Sequence, residues 1–316
     1  AVLNYGTAML VSGTFTRSAE TSGYVIKNYG YMTIGKDETS KVTVSSENTA
    51  SSLVVSGYFD DADQSANEGK ITAAENKLTL IINGGTFTGG LNTVKNDSGS
   101  TTTINGGTFT NSTNYTVQNC NVMTITGGEF KQTAEKAPDG RTNAYALESD
   151  ANTTLTITGG TFTAQTYAVY LDKKTETKIE GGSFTANNAL CVKSEATLTV
   201  TGGTFKAETG AAILVNGGKT KVEISGADTV ITGAEYGVRS STAPNAEFAI
   251  KEATITGDTN SVKLDKPAAF KVESGTFNGE FTVIQNPGVD RYEGISGGDF
   301  DTDIPEAYIA ENSLFY

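Results

Sequence analysis

The segment Thr154-Leu155-Thr156-Ile157-Thr158-Gly159-Gly160-Thr161-Phe162-Thr163 contains the pattern that decides the fold of this chain. Hydroxyl and apolar side chains alternate from Thr154 to Ile157, which predicts a strand with one buried face. The two glycines that follow predict a turn, because glycine adopts positive φ angles without strain. Phe162 lies between two threonines, so the segment ends in a second short strand whose ring points inward.

This pattern, Ile/Val-x-Gly-Gly-Thr-Phe in its fullest form, recurs along the whole chain. Its copies close at Phe15, Phe59, Phe87, Phe109, Phe130, Phe162, Phe184, Phe205, Phe277 and Phe300. Two weaker copies have Ile231 and Ile255 in the Phe position, and the interval between Phe15 and Phe59 has room for one degenerate copy through Val42. Uninterrupted copies are spaced 21 to 24 residues apart, which is long enough for a coil of three short strands.

Residues of the same class at equivalent positions predict that successive coils stack in register, with Phe above Phe. A propeller of antiparallel blades would instead need repeats of about 40 residues. The sequence therefore predicts an all-β, single-domain right-handed parallel β-helix, a solenoid of about 13 coils of 21–24 residues that spans residues 1–316. Residues 1–9 are candidates for an N-terminal cap, and residues 307–316 for a C-terminal cap or the start of a linker.

Charge and composition oppose several classes of function. The chain has 23 basic and 36 acidic residues, and its net charge of -13 opposes binding to nucleic acid or to an anionic membrane surface. Apolar runs are short, so we expect no membrane insertion. Histidine is absent, which removes the commonest general base and the usual zinc ligands. We therefore expect a monomer that uses no cofactor.

The coil length and the Gly-Gly-Thr-Phe turns resemble the right-handed β-helices of the pectate-lyase-like superfamily. They are also similar to repeats in large surface proteins of gut Firmicutes and related bacteria, and residues 295–310 resemble the end of such arrays. The resemblance implies an extracellular protein, attached to the cell wall through regions outside this chain. It further implies adhesion or contact with glycans. Because histidine and tryptophan are absent and the acidic residues are dispersed, we expect a non-catalytic stalk or adhesin that contacts host glycans or surface proteins. A polysaccharide lyase or glycoside hydrolase on the same scaffold is the alternative.

Two coils are longer than the others, and insertions in a solenoid usually leave the stack as loops. The spacing places both insertions after the Phe strand, at residues 60–69 and 131–143, where they could border one groove. The first insertion contains Asp60, Asp61 and Asp63, which are weak candidates for calcium ligands. A solvated acidic turn is the alternative, because the glycine and glutamate of a calcium loop are missing from their positions.

One outward column of the third strands is expected to hold most of the charged side chains. By spacing it runs through Lys27, Lys95, Gln118, Glu148, Asp172, Lys193, Asn216 and Arg239. Glu148 and Asp172 are expected on adjacent coils, with Lys193 one coil further, and these three are the catalytic candidates if the protein is an enzyme. A mixed-charge surface ladder is the alternative for the same residues.

Ligand contact is expected in the same region. The candidate ligand-binding residues are Tyr170, Asp172, Glu148, Arg141 and Tyr58. Tyr58 and Tyr170 are expected to lie outside the inward register of the other aromatic residues, where they could contact a carbohydrate. A partly covered surface tyrosine is the alternative for each.

The threonines on both sides of each Phe suggest a minor alternative, an outward Thr ladder that binds ice. Glu129 and Lys131 are expected to interrupt this ladder, and threonine is in any case common at exposed strand positions.

The cysteines predict no cross-link. Cys120 and Cys191 are expected on coils too far apart for a disulfide, so two free thiols are predicted.

Overall fold

The computed structural model describes residues 2–20, 22–73, 78–134, 144–288, 291–311 and 313. These residues form an all-β parallel β-solenoid of about 12 turns with 4% helix, which confirms the predicted fold class and repeat. The chain divides into two compact units, Ala1–Thr166 and Tyr167–Tyr316, and each is described by itself.

The first unit contains eighteen strands among the described residues. They are β1 Val2–Asn4, β2 Thr7–Leu10, β3 Gly13–Arg17, β4 Ile26–Asn28, β5 Tyr31–Ile34, β6 Val42–Ser46, β7 Val54–Ser56, β8 Thr79–Ile82, β9 Thr86–Gly89, β10 Val94–Asn96, β11 Thr101–Ile104, β12 Thr108–Asn111, β13 Val117–Asn119, β14 Val122–Ile125, β15 Glu129–Gln132, β16 Tyr145–Ser149, β17 Thr154–Ile157 and β18 Thr161–Thr163. An α-helix, α1 Asp61–Asn67, and a 3-10 helix, Glu68–Lys70, lie between β7 and β8.

Every third strand of the first unit pairs in parallel, which gives three columns. The alternating column consists of β2, β5, β8, β11, β14 and β17. The Phe column consists of β3, β6, β9, β12, β15 and β18. The third column consists of β1, β4, β7, β10, β13 and β16. Each coil thus contributes one strand to each column, as the repeat predicts.

The second unit repeats this arrangement. Its described strands are β19 Tyr167–Leu171, β20 Glu176–Ile179, β21 Ser183–Ala186, β22 Asn188–Val192, β23 Thr197–Val200, β24 Gly203–Ala207, β25 Ala211–Val215, β26 Lys221–Ile224, β27 Thr229–Gly233, β28 Tyr236–Ser240, β29 Glu247–Ile250, β30 Thr254–Asp265, β31 Ala269–Val272, β32 Thr276–Ile284 and β33 Asp299–Phe300. The long strands β30 and β32 run through a corner, because β30 pairs with both β27 and β28. A 3-10 helix, Glu306–Tyr308, lies near the end of the chain.

The core of each unit is built around stacked aromatic rings. In the first unit the rings of Phe87, Phe109 and Phe130 are fully buried, and consecutive centroids are 4.7 and 4.9 Å apart. In the second unit Phe184 and Phe205 stack at 4.8 Å. Burial of each ring contributes about 1.5–3 kcal/mol, and each stacked pair about 0.5–1.5 kcal/mol more. The predicted inward Phe ladder is confirmed at these positions.

The second glycine of each turn keeps the coils at stacking distance. Gly107 has φ +115°, and a Cβ on it would lie 3.1 Å from the carbonyl oxygen of Gly85 and 3.2 Å from the ring of Phe109. A larger residue would therefore strain the backbone and push neighbouring coils apart.

Buried asparagine and serine side chains form a second internal ladder, which the sequence reasoning missed. The third column of the first unit carries them at the carboxyl end of each strand. Side-chain hydrogen bonds run from Asn4 to Asn28 (2.8 Å), Asn28 to Ser56 (2.9 Å), Asn96 to Asn119 (2.9 Å) and Asn119 to Ser149 (3.0 Å). Because each amide donates to the coil above, these buried groups are satisfied within the stack.

The structure corrects the assignment of one coil. Phe59 was predicted to close a repeat and point inward, but its side chain is 64% exposed. The degenerate copy does run through Val42, as strand β6, and Val44 takes the Phe position in it, since Val44 pairs with Phe15 on one side and Phe87 on the other. The string Gly57-Tyr58-Phe59 resembles the repeat locally, yet it follows a strand of the third column and leaves the stack.

The position of the first insertion is also corrected. It follows β7 of the third column, whereas the second insertion lies between β15 and β16 and follows the Phe column. The two insertions therefore leave the stack at different corners, and the prediction that both follow the Phe strand is wrong. Of the second insertion, residues 135–143 lie outside the described residues.

Both ends of the chain contribute to the stacks. Strands β1 and β2 pair in register with β4 and β5, so residues 2–10 already belong to regular coils. Near the other end, Ile309 bridges Ile295, and the Tyr308 hydroxyl donates a hydrogen bond to the Val283 carbonyl at 3.0 Å. Among the described residues, no helix has the length and apolar character needed to span a bilayer.

Candidate functional site

The outward side chains of β10, β13 and β16, with those flanking these strands, form a cluster of polar groups in the first unit, some buried and some partly exposed. We call this cluster the polar grid. Its members are Asn92, Lys95, Asp97, Tyr115, Gln118, Cys120, Tyr145, Glu148 and Asp150. Strand register places Lys95, Gln118 and Glu148 side by side on consecutive coils. Coils stack at about 4.8 Å, so the grid presents three rows of functional groups at that spacing.

Side chains of the grid bond to one another across coils. The Asn92 amide donates to Gln118 Oε1 at 2.8 Å, and Gln118 Nε2 donates to the two carboxylate oxygens of Asp150 at 3.1 and 3.3 Å. Lys95 Nζ forms an ion pair of 2.9 Å with Asp97 Oδ1. The Cys120 thiol donates to Asp150 Oδ2 at 3.0 Å. These bonds hold the donors and acceptors in fixed positions.

Burial and neighbouring charges shift the titratable groups of the grid. Burial raises the pKa of the Cys120 thiol well above its ordinary value, and the charge of Asp150 adds to the effect. Burial likewise raises the pKa of Tyr115, whose hydroxyl is hydrogen-bonded to Glu148. Burial opposes the charged form of Lys95, but the Asp97 carboxylate outweighs it and raises the pKa of the lysine. At neutral pH the grid therefore holds a protonated thiol and phenol beside a charged amine.

One acceptor of the grid has no partner among the described residues. Asp97 is buried, and its Oδ2 atom accepts no hydrogen bond from the protein. A buried carboxylate oxygen in this position is a site where an ordered water can bind.

Phe59 and α1 border the grid on one side. The Lys95 ammonium lies 5.4 Å from the centroid of the exposed Phe59 ring, a cation-π distance. An exposed aromatic face therefore lies next to amide, carboxylate and ammonium groups at this border of the grid. Neither Phe59 nor the helix that follows it was placed beside this column from the sequence.

The predicted column of charged residues is confirmed in the first unit and corrected in the second. Lys95, Gln118 and Glu148 share one column, as predicted. In the second unit Arg239 pairs with Leu214, and Leu214 pairs with Cys191. Cys191 in turn pairs with Tyr170. Asp172, Lys193 and Asn216 lie two residues beyond that column. A shift of two residues keeps a side chain on the same face of the strand, so the repeat spacing alone did not reveal the difference.

The catalytic candidates therefore occupy different surroundings. Glu148 lies in the polar grid of the first unit, and Asp172 and Lys193 lie at strand ends of the second unit. The Asp172 carboxylate accepts a hydrogen bond of 2.7 Å from the Lys173 amide, which makes it part of a turn.

The aromatic and basic ligand candidates differ in how exposed they are and in whether the structure describes them. Tyr58 was expected to be exposed, but it is only 4% exposed and its ring packs 5.9 Å from that of Tyr29. Tyr170 is half-buried, with its ring 5.9 Å from that of Tyr167. Arg141 lies outside the described residues. Tyr58 is thus a packing residue, and Tyr170 keeps an accessible part.

The calcium candidates are part of a helix and not of a loop. Asp60 caps α1 by accepting a 2.8 Å hydrogen bond from the Asp63 amide, and Asp61 lies in the first turn of the helix. Asp63 points towards the strands and accepts bonds from Tyr29, Phe59 and Asn67. The insertion expected as an acidic loop or turn is therefore a short helix, and the oxygens of Asp63 accept hydrogen bonds from protein donors. Within the described ranges, no group of three or more Cys, Asp or Glu side chains is placed to hold a metal ion.

The Thr ladder is interrupted where the sequence predicts. In the first unit Thr108 pairs with Glu129 and Thr110 with Lys131. Two charged side chains therefore break the outward row that an ice-binding face would need.

A separate polar cleft of about 380 Å³ lies at the Gly-Gly corner of the first unit. Glu38 and Lys41 line one side of it, and Thr86, Gly107 and Thr108 line the other. It contains no member of the polar grid. We regard the grid as the stronger candidate, because its groups are fixed by hydrogen bonds and border an exposed aromatic ring.

The fold and this surface define the class of protein: a parallel β-solenoid with an ordered polar surface on its third column. Both cysteines are free, as predicted. Comparisons of the chain with protein-family models, curated proteins and solved structures found no match.

Proposed function

We propose that this chain is a non-catalytic extracellular module, a stalk or adhesin that contacts a glycan or a surface protein through the polar grid. The assignment to right-handed β-helices of the pectate-lyase-like type, and to cell-wall-attached surface proteins of Firmicutes, belongs to the same proposal and is supported by the repeat resemblance. The stacked coils support the stalk role, because a continuous core gives a repeat array rigidity.

The observation that carries the proposal is that each carboxylate of the grid has a protein partner. Asp150 is held by Gln118 and Cys120, Asp97 pairs with Lys95, and Glu148 is bonded to Tyr115. A general acid or base needs a carboxyl group that is poised to exchange a proton with substrate. Partnered carboxylates and amides instead suit fixed recognition of hydroxyl groups.

A glycan array with the purified chain tests the proposal. The variant Gln118→Ala is expected to weaken binding about tenfold, since one amide hydrogen bond contributes about 1–1.5 kcal/mol. Phe59→Ala is expected to weaken it by a similar factor, because the aromatic face at the border is lost. Thr101→Ala, at an exposed position of the alternating column, is the matched control and should bind as the parent does.

Cleavage assays on the bound polysaccharides, with and without calcium, separate binding from catalysis. Binding without product supports the proposal. Cleavage that is abolished by Glu148→Gln or Asp172→Asn would overturn it in favour of a lyase or hydrolase. Loss of binding in Thr101→Ala but not in Gln118→Ala would move the site away from the grid.

A further inference from the structure

Lys27 is a lysine whose amine is withdrawn from solvent. Its side chain is 7% exposed, and Nζ donates a 2.7 Å hydrogen bond to the Gly57 carbonyl. The rings of Tyr29 and Tyr24 lie 4.6 and 5.1 Å from Nζ. Burial lowers the pKa of this lysine. Most lysines keep the ammonium in water, so this arrangement calls for a reason.

The partner of Lys27 is the carboxyl group of Asp63 on α1. Oδ2 of Asp63 lies 3.6 Å from Lys27 Nζ and accepts a 2.9 Å bond from the Phe59 amide. Oδ1 accepts two further bonds, from the Tyr29 hydroxyl at 2.6 Å and the Asn67 amide at 2.8 Å. Two donors on Oδ1 polarise the carboxyl carbon in the way that an oxyanion site does.

We propose that Lys27 and Asp63 condense to a side-chain amide, an isopeptide bond that ties α1 to strand β4. The Nζ–Cγ bond forms and the Cγ–Oδ2 bond breaks, while Oδ1 stays as the carbonyl oxygen on Tyr29 and Asn67. The ammonium and carboxylate together contain every atom required. One hydrogen stays on nitrogen, and two leave with Oδ2 as water, so no other reactant is needed.

Proximity and exclusion of water favour the reaction at this pair. The Lys27 amine on β4 and the Asp63 carboxyl on α1 lie 3.6 Å apart, and both bond to the backbone of residues 57–59. The two reacting groups therefore do not have to meet by diffusion. The pocket also disfavours charge on the amine, which makes the neutral, nucleophilic form more accessible. Burial would raise the pKa of Asp63, but the bonds from Tyr29 and Phe59 and the charge of Lys27 lower it on balance, so the carboxyl group is ionised at neutral pH. Attack therefore requires that a proton first pass from the Lys27 ammonium to Asp63, a step that the fixed contact between the two groups allows.

The second ion pair of this region lacks these features. Lys95 and Asp97 are closer, at 2.9 Å, but the Lys95 side chain is 17% exposed. Among the described residues no donor bonds Asp97 Oδ2, so this carboxyl group lacks the several hydrogen-bond donors that polarise the carboxyl carbon of Asp63. Lys95 therefore supplies a matched control.

The test is the intact mass of the purified chain under denaturing conditions. Formation of the amide removes one water, so the mass is expected about 18 Da below the sequence value. Lys27→Arg and Asp63→Ala should each restore the sequence mass, and Lys95→Arg should keep the deficit. Asp63→Asn should give a deficit of about 17 Da, since ammonia leaves instead of water. Digestion should yield a branched peptide that joins residues 27 and 63, with no tryptic cleavage after Lys27.

A parent chain at its full sequence mass, with cleavage after Lys27, would overturn the proposal. A deficit that survives in Lys27→Arg would also overturn it, because dehydration of the Asp139-Gly140 sequence to a succinimide gives the same loss of mass. The test does not require the variants to fold, since the branched peptide that joins residues 27 and 63 in the parent chain distinguishes the amide from a succinimide.

Discussion

Phe130 is the residue at which the packing of the Phe ladder is easiest to test. Its ring is fully buried and lies 4.9 Å from Phe109 and 4.6 Å from Phe162. Phe130→Ala is expected to lower the free energy of unfolding by about 3–5 kcal/mol, because it removes buried surface and leaves a cavity between two rings. Urea denaturation followed by circular dichroism measures the change.

Phe59→Ala is the matched control for this prediction. The same atoms are removed from a side chain that is 64% exposed, so the expected change is within about 0.5 kcal/mol. Equal losses in the two variants would mean that Phe59 belongs to the core, as its sequence context suggests.

The contrast between Phe130 and Phe59 shows when the local sequence is enough to predict whether a side chain points inward. Phe130 is predictable, because the strand and the two glycines before it match the repeat. Phe59 follows a glycine as well, but the strand before it belongs to the third column. Its orientation depends on which strand of another coil it would pair with, and that information is not local.

At the scale of secondary-structure elements, the buried asparagine ladder holds the strand ends of the third column together. Asn119 accepts from Asn96 at 2.9 Å and donates to Ser149 at 3.0 Å, with a further bond to the Thr154 carbonyl. Asn119→Ala is expected to lower the free energy of unfolding by about 1–3 kcal/mol, since buried groups on two neighbouring coils lose their partner.

Urea denaturation compares Asn119→Ala with Val122→Ala, a surface truncation on the neighbouring strand, where the side chain is 39% exposed. The control should change stability by less than about 1 kcal/mol. A loss in Asn119→Ala as small as in the control would mean that water replaces the missing amide without cost.

The helix α1 shows why an insertion is harder to predict than a coil. Seven residues are too few for a helix that is stable alone. Asp60 and Asp63 do form an N-terminal cap, a local signal that sequence reasoning could have used. The contacts that fix the helix come from Tyr29 and Lys27, which are more than thirty residues away in the sequence, so its position follows from tertiary packing.

At the scale of the whole molecule, the repeat makes the fold easy to predict and the site difficult. Stacking in register is required wherever equivalent residues recur, and the Phe positions alone determine most of it. The polar grid depends on residues that differ from coil to coil, such as Lys95, Gln118 and Glu148. Periodicity says which face they occupy, but their mutual bonds depend on side-chain conformations that no repeat encodes.

The same molecule-wide view predicts how stability depends on pH. Without histidine, the chain has no side chain with an ordinary pKa between about 5 and 8, so stability should be nearly constant from pH 6 to 8. Above that range the titration of the buried thiols and phenols determines how the free energy of unfolding changes with pH. Burial raises the pKa of Cys191 and that of Tyr167, each to about 12, and it also raises the pKa of Cys120 and Tyr115.

In the unfolded chain these groups lose their protons near their ordinary pKa values of 9.0 for thiols and 10.0 for phenols, whereas the folded chain retains them to higher pH. Between those values the folded state binds more protons, so the free energy of unfolding should fall with rising pH from about pH 9, by up to about 1.4 kcal/mol per pH unit for each group. Urea titrations at pH 7, 9 and 10.5 measure the slope, and Cys120→Ala should make it shallower above pH 9, whereas a stability that is constant up to pH 10.5 would contradict the burial of these groups.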